Sequence, residues 1–182
     1  VALTSTMHVF DVELADADRG VYETFALRVA RHPSESEEYL VTRLLARCLE
    51  HAEGIAFSSG GLSDPDEPPI SVRDLTGRLL AWIDVGGPDA ARLHRASKAA
   101  PRVAVYTSKD VAQLQRAWTG ERIHRAEEIE VHAFEPALIA ALASRLQRRM
   151  SLAITVTGGQ LYLTIDGAVV EGAVTRHAIE TR

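Results

Sequence analysis

Cysteine is nearly absent from this 182-residue chain: Cys48 is the only one. No intrachain disulfide and no cysteine-based zinc site can form, which is consistent with a reducing cytoplasm. Long apolar runs are also missing. None approaches the about 20 residues that span a bilayer. The first ten residues, VALTSTMHVF, lack a basic segment followed by an apolar one, so no signal peptide is visible there. Several chemical signatures are absent too. The seven histidines form no HExxH or HxH zinc context. There is no GxSxG elbow and no GxxxxGK[ST] phosphate loop. Gly86-Gly87 precedes a helix without the rest of a dinucleotide fingerprint, and Asp64, Asp66 and Glu67 lack EF-hand spacing.

What is present describes a globular chain, 46% hydrophobic and 25% charged. We expect one domain covering residues 1–182. The net charge of −5 opposes indiscriminate nucleic-acid binding by the whole surface. The charge is uneven, however. Residues 1–75 carry 14 acids and 6 Lys or Arg, a net of −8, whereas residues 91–125 carry 8 Lys or Arg and 2 acids, a net of +6. That contrast leaves either a mixed solvated surface or a local basic patch.

Apolar residues alternate over 6–14 and again over 20–30, predicting an antiparallel hairpin turned by Asp16, Asp18 and Gly20. Ser34 and Glu37 fit a capping box at the start of a helix. Leu40, Val41, Leu44, Leu45, Cys48 and Leu49 form its apolar stripe, and Gly54 closes it. Residues 55–57 fit a short strand, and 58–69 read as a surface loop. The centre is Val72 to Thr107: an apolar strand ending in Asp84, a Gly86-Gly87-Pro88 turn, a basic helix to about Ala100, and the strand 102–107. Short links between these elements predict a parallel crossover. A helix over 109–118, a strand over 128–134 and a helix from Pro136 follow. The Pro136 helix carries Arg145, Arg148 and Arg149 near its end. The tail reads as strands 152–157 and 160–166 joined at Gly158-Gly159, with another at 168–175.

A carboxylate closing a buried apolar strand is expensive unless compensated, which makes Asp84 the sharpest chemical signal. Asp74 lies ten positions earlier. The two acids, with Glu38 from the helix, offer the hard oxygen ligands that Mg²⁺ or Mn²⁺ takes. Such an ion would polarise a phosphate and activate water. Asp74 closing a turn and Asp84 capping the following helix explain the same residues without metal. Glu38 is likewise explained as a first-turn acid complementing the helix dipole.

At these residues the chain resembles the YaeQ family. The resemblance is carried by ARHPSESEEYLVTRLLA (30–46), RDLTG (73–77), WIDVGGPDAARLHRASKAA (82–100) and VAVYT (103–107). It covers essentially the whole chain. It implies an α/β (α+β) mixed sheet: a compact variant of the PD-(D/E)XK restriction-endonuclease-like core, with N- and C-terminal β-hairpins. It also implies a metal-dependent nuclease or phosphodiesterase site. Glu38, Asp74 and Asp84 would be the metal-binding acids, with Arg95 and Lys98 supplying the basic function from the helix. Gly86 stands where that superfamily carries its strand lysine, and an arginine cannot replace a lysine as general base. Arg31, Ser34, Arg43 and Arg92 are the expected nucleic-acid contacts. The alternative is a non-catalytic nucleic-acid- or protein-binding module that keeps a nuclease-like site. Neither reading involves a membrane or a disulfide partner.

Overall fold

The computed structural model describes residues 4–59 and 64–180, and residues 60–63 of the expected loop, with Gly60 and Gly61, lie outside them. In chain order the elements are β1 (Thr6–Asp16), β2 (Val21–Arg31), α1 (Glu37–Leu49), β3 (Ile55–Phe57), β4 (Ile70–Arg73) and β5 (Leu79–Val85). Then come α2 (Ala90–Ala99), β6 (Arg102–Thr107), α3 (Val111–Trp118), a short 3₁₀ turn at Ala126–Glu128, and β7 (Glu130–Phe134). Last are α4 (Pro136–Ala143), β8 (Arg149–Thr157), β9 (Gln160–Ile165) and β10 (Ala168–Ala178). The fold is mixed α/β. No helix among the described residues is long and apolar enough to cross a membrane. The chain divides into two compact units, one of residues 1–44 with 134–174 and one of 45–133 with 175–182.

The first unit is a sheet ordered β2-β1-β8-β9-β10. The expected hairpin is there, paired from Thr6↔Arg31 to Asp16↔Val21 without a register break. Strand β8 lies parallel to β1, and β9 is antiparallel to both β8 and β10. Period-2 patterning buries Phe10, Val12 and Leu14, then Leu152, Ile154, Leu161 and Leu163. Leu40, Val41 and Leu44 of α1 and Leu138, Ile139 and Leu142 of α4 are buried in the same unit. Gly172 of β10 is required by that packing, because a Cβ there would meet the Leu138 Cβ at 2.7 Å. The β8–β9 turn uses Gly158 and Gly159 at φ of 57° and 74°, and both amides donate to the Asp18 carboxylate at 2.7 and 2.9 Å.

Two local expectations are corrected. The helix is capped by Ser36, whose Oγ accepts the Tyr39 amide at 3.1 Å, and not by Ser34. The Ser34 hydroxyl instead meets His32 Nδ1 at 2.6 Å. Arg149 opens β8 instead of ending the Pro136 helix, which stops at Ala143.

In the second unit the sheet runs β7-β6-β5-β4-β3. Strands β3, β4 and β5 are antiparallel neighbours, while β5, β6 and β7 are parallel, as the strand–helix–strand pattern predicts. One face carries Trp82, Val103, Val105 and Val131, which cluster with Leu93 and Ala96 of α2 and Trp118 of α3. The Trp118 indole N–H donates to the Pro88 carbonyl at 2.8 Å. Alternation puts Arg102, Tyr106, Glu130 and His132 on the opposite face.

That polar face is joined by one guanidinium. Arg102 donates to both oxygens of Glu50 at 2.7 and 2.9 Å and to both oxygens of Glu130 at 2.7 and 3.0 Å. The Tyr106 hydroxyl donates to Glu50 at 2.6 Å, and His132 stacks on the Tyr106 ring at 4.5 Å. Burial, then Glu50, pushes the Tyr106 phenol up. Burial raises Glu130 as well, but the Arg102 bonds and charge outweigh it and bring the carboxyl down to about 2 from 4.5. Because the folded value is depressed, the stability this pair contributes is present above the unfolded value and is lost as pH falls from 4.5 towards 2. Thermal melts across that window should show the loss in wild type and a flatter acid limb in Glu130→Gln. Superimposable acid limbs would contradict the assignment.

Candidate functional site

Asp84 sits where the sequence places it, at the end of β5 and 2% exposed. The compensation its burial requires comes from Arg92. The Arg92 Nε donates to Asp84 Oδ2 at 2.7 Å, the Trp82 indole N–H reaches the same oxygen at 3.3 Å, and the Val85 amide donates to Oδ1 at 3.2 Å. Three donors thus occupy the carboxylate. The guanidinium also lies over the Trp82 ring, 5.3 Å from its centroid.

Arg92 reaches Asp84 because α2 begins directly after the Gly-Gly-Pro turn. Asp89, not Asp84, caps that helix, accepting the Arg92 amide at 2.8 Å. The cap fixes Arg92 in the first turn, beside the end of β5. Its remaining donors bind backbone carbonyls of the loop before β4: Asp64 at 3.3 Å, Pro65 at 3.4 Å and Glu67 at 3.1 Å. Sequence reasoning assigned that loop to free surface and Arg92 to phosphate contact. Instead, one side chain ties the loop, β5 and α2 together.

The other expected acids are placed differently. Asp74 closes the β4–β5 turn: its Oδ1 accepts the Thr76 hydroxyl at 2.6 Å and the Thr76 and Arg78 amides at 2.9 and 3.0 Å. The Thr76 hydroxyl, followed by the Arg78 amide, holds this carboxyl below its ordinary value. The Asp74 amide bonds the Arg78 carbonyl. Arg78 precedes Asp84 by six residues, so the two aspartates are separated by about 20 Å of extended strand. That register gives them no common ion. Glu38 is an exposed first-turn residue of α1, in the first unit. Among the described residues, no group of three or more His, Cys, Asp and Glu side chains is placed to hold a metal ion.

The expected phosphate contacts also separate. Arg43 is buried and committed to Glu35, with Nη2 at 2.9 and 3.0 Å from the two carboxylate oxygens and bonded to the Ala30 carbonyl at 3.0 Å. This corrects its assignment to nucleic acid, since a guanidinium enclosed on that scale has no access to a phosphate. Arg31 is half-buried and bonds the Glu35 carbonyl at 3.1 Å. Ser34 is exposed. Burial pushes the Cys48 thiol up to about 12, which leaves it inert at neutral pH.

Arg95 and Lys98 lie on the exposed side of α2, away from the buried Leu93, Ala96 and Ser97. The basic side chain hydrogen-bonded to Asp84 is Arg92. Arg95 and Lys98 belong instead to a basic surface. The His124 amide donates to His94 Nδ1 at 3.0 Å, and the two rings meet edge to face at 6.3 Å. Desolvation, then the charges of Lys98, Arg122 and His124, pull His94 below its ordinary value. Arg95, Lys98 and Arg122 have no ion-pair partner among the described residues.

A family model described as YaeQ protein matches residues 1–174. The chain belongs to the YaeQ family. It is 30% identical to the YaeQ protein of Escherichia coli (strain K12) over 167 residues, covering 91% of this chain and 92% of that one. The crystal structure of YaeQ from Pseudomonas syringae superposes with a TM-score of 0.84 at 32% identity, covering 97% of each chain. That of YaeQ from Xanthomonas axonopodis pv. citri gives 0.81 at 27% identity, covering 97% of this chain and all of that one. The mixed α/β fold is therefore that of solved YaeQ structures.

Replacing Arg92 by Met would leave the Asp84 carboxylate buried and unpaired and cut three bonds to the loop. We expect a loss of about 3–5 kcal/mol in unfolding free energy, with new protease cleavage within 64–69. Adding Asp84→Asn should recover part of that loss. Equal stability of Arg92→Met and wild type would remove the pair from its central place.

Proposed function

We propose that this YaeQ chain is a nucleic-acid-binding module that engages phosphate backbones through the outer face of α2 and does not cut them. The observation that carries the reading is the surface cluster of Arg95, Lys98 and Arg122 with His94 and His124. Among the described residues these cations have no carboxylate partner, on a chain of net charge −5. Unpaired arginine and lysine on one helix face suit a polyanion, and phosphate neutralisation supplies affinity without base readout. The single buried cysteine suits the cytoplasm, where such a partner is available.

Three features favour binding over turnover. The Asp84 carboxylate is occupied by Arg92, Asp74 is used by its own turn, and Gly86 stands where the PD-(D/E)XK pattern has lysine. Arg92 itself cannot deprotonate to serve as a base. The acids named for Mg²⁺ or Mn²⁺ do not fit a shared ion in this arrangement, so no hydrolytic step is drawn through one.

Fluorescence anisotropy with single-stranded DNA, duplex DNA and RNA across a salt series tests the reading. Binding should weaken with salt at a slope of about −0.9 per neutralised phosphate on duplex DNA and about −0.7 on single strands, and Arg95→Ala with Lys98→Ala should reduce that slope by about 1.5–2. The same substrates should stay intact with Mg²⁺ or Mn²⁺. Absence of binding at low salt would overturn the proposal. Mn²⁺-dependent cleavage abolished by Asp84→Asn would replace it with the nuclease reading.

A further inference from the structure

The first unit ends in a long edge strand. β2 is eleven residues long and lies at the end of its sheet, paired only with β1 among the described residues. It contains no proline, lysine, glycine or bulge, devices that blunt exposed edges; its charged residues are Glu23, Arg28 and Arg31, and its Ala30 carbonyl accepts from Arg43 Nη2 at 3.0 Å. The second unit, by contrast, ends in β3, which is three residues long.

The hydrogen-bonding direction of that edge follows from β1. The Val9 amide donates to the Arg148 carbonyl at 2.7 Å and the Ala17 amide to the Val156 carbonyl at 2.9 Å. The odd-numbered residues of β1 therefore turn their main-chain groups towards β8. Their antiparallel partners in β2 turn theirs outward: Tyr22 opposite Ala15, Thr24 opposite Glu13, Ala26 opposite Asp11, Arg28 opposite Val9. Tyr22, Thr24, Ala26 and Arg28 are exposed, so this row of donors and acceptors is open to solvent.

The side chains point to what covers it. Glu23 lies near one end of the strand, and Arg31 closes the other. A parallel neighbour of the same sequence would set like charge beside like. An antiparallel one sets Glu23 against Arg31, whose guanidinium also reaches Glu37 of its own chain at 3.8 Å, and Phe25 against Val29, with Leu27 meeting Leu27 on the two-fold axis. This register keeps the buried Leu27 and Val29 on the core face of both strands and pairs the outward-pointing main-chain groups of Ala26 with Arg28 and of Thr24 with Ala30, whose carbonyl also accepts from Arg43 Nη2 at 3.0 Å. Opposite-charge and aromatic–β-branched pairs are both favourable across antiparallel strands. A two-fold contact of this kind also closes, so it consumes the edge instead of propagating it.

We propose that β2 pairs antiparallel with β2 of a second copy of this chain, joining two first-unit sheets into one continuous sheet across a two-fold axis. The inference is independent of the anion-binding reading. Sedimentation velocity on the full chain, from micromolar to submillimolar concentration, tests it. Wild type should dimerise. Ala26→Pro removes an outward N–H that β1 does not use, so proline is tolerated there, and it should weaken the dimer by about tenfold or more while the far-ultraviolet circular dichroism is unchanged. Should that variant fold poorly, Glu23→Lys decides. It should weaken the dimer by placing Lys against Arg31, and the swap Glu23→Lys with Arg31→Glu should restore it. A monomer at every concentration overturns the proposal. So does a dimer that neither Ala26→Pro nor Glu23→Lys weakens.

Discussion

The Arg92–Asp84 pair is the contact on which the centre of the second unit depends. An apolar strand that ends in a carboxylate at 2% exposure is unfavourable by itself. A guanidinium at 2.7 Å, itself only 17% exposed, makes it tolerable. Because arginine presents five donors in a planar fork, the same group can satisfy loop carbonyls while it neutralises the acid. The price is chemical: a carboxylate held by a permanent cation and two N–H groups is poorly disposed to ligate a metal.

The same solution recurs. Glu35 and Arg43 form an enclosed pair in the first unit, and Arg102 bridges Glu50 and Glu130 in the second. Of the twenty Lys and Arg residues only Lys98 and Lys109 are lysine, so the chain meets nearly all of its cationic needs with arginine. Buried pairs of this kind contribute little net stability, yet they punish any arrangement that separates the partners. That gives them a role in fixing which strand end meets which loop. Where arginine and lysine have no ion-pair partner among the described residues, on the outer side of α2, lies the surface we propose as the anion site.

Much of the fold was legible because its signals are local. Alternation located β1, β2, β8 and β9, and the spacing from Leu40 to Leu49 located α1. Strand β4 was missed because it is four residues long and follows Pro68 and Pro69, which read as loop. The cap of α1 was misplaced by two residues because Ser34 has Glu37 three positions on and fits the capping-box spacing, whereas Ser36, the residue that caps, has Tyr39 there. The site was less legible. Asp-Leu-Thr-Gly carried its own explanation for Asp74, as a turn. The partner of Asp84 depends on how α2 packs against the end of β5, which no local pattern encodes. The nuclease-like resemblance drew attention to Arg95 and Lys98, although the guanidinium that reaches the aspartate is one helical turn earlier.

The central claim is that the Arg92 guanidinium occupies the place a divalent cation would take at Asp84. Electron paramagnetic resonance of Mn²⁺ titrated into the full chain at neutral pH addresses it most directly. With Arg92 in that place, the free-ion signal should follow total Mn²⁺, with no stoichiometric site below millimolar concentration. One equivalent bound tightly in wild type, and lost in Asp84→Asn, would contradict it.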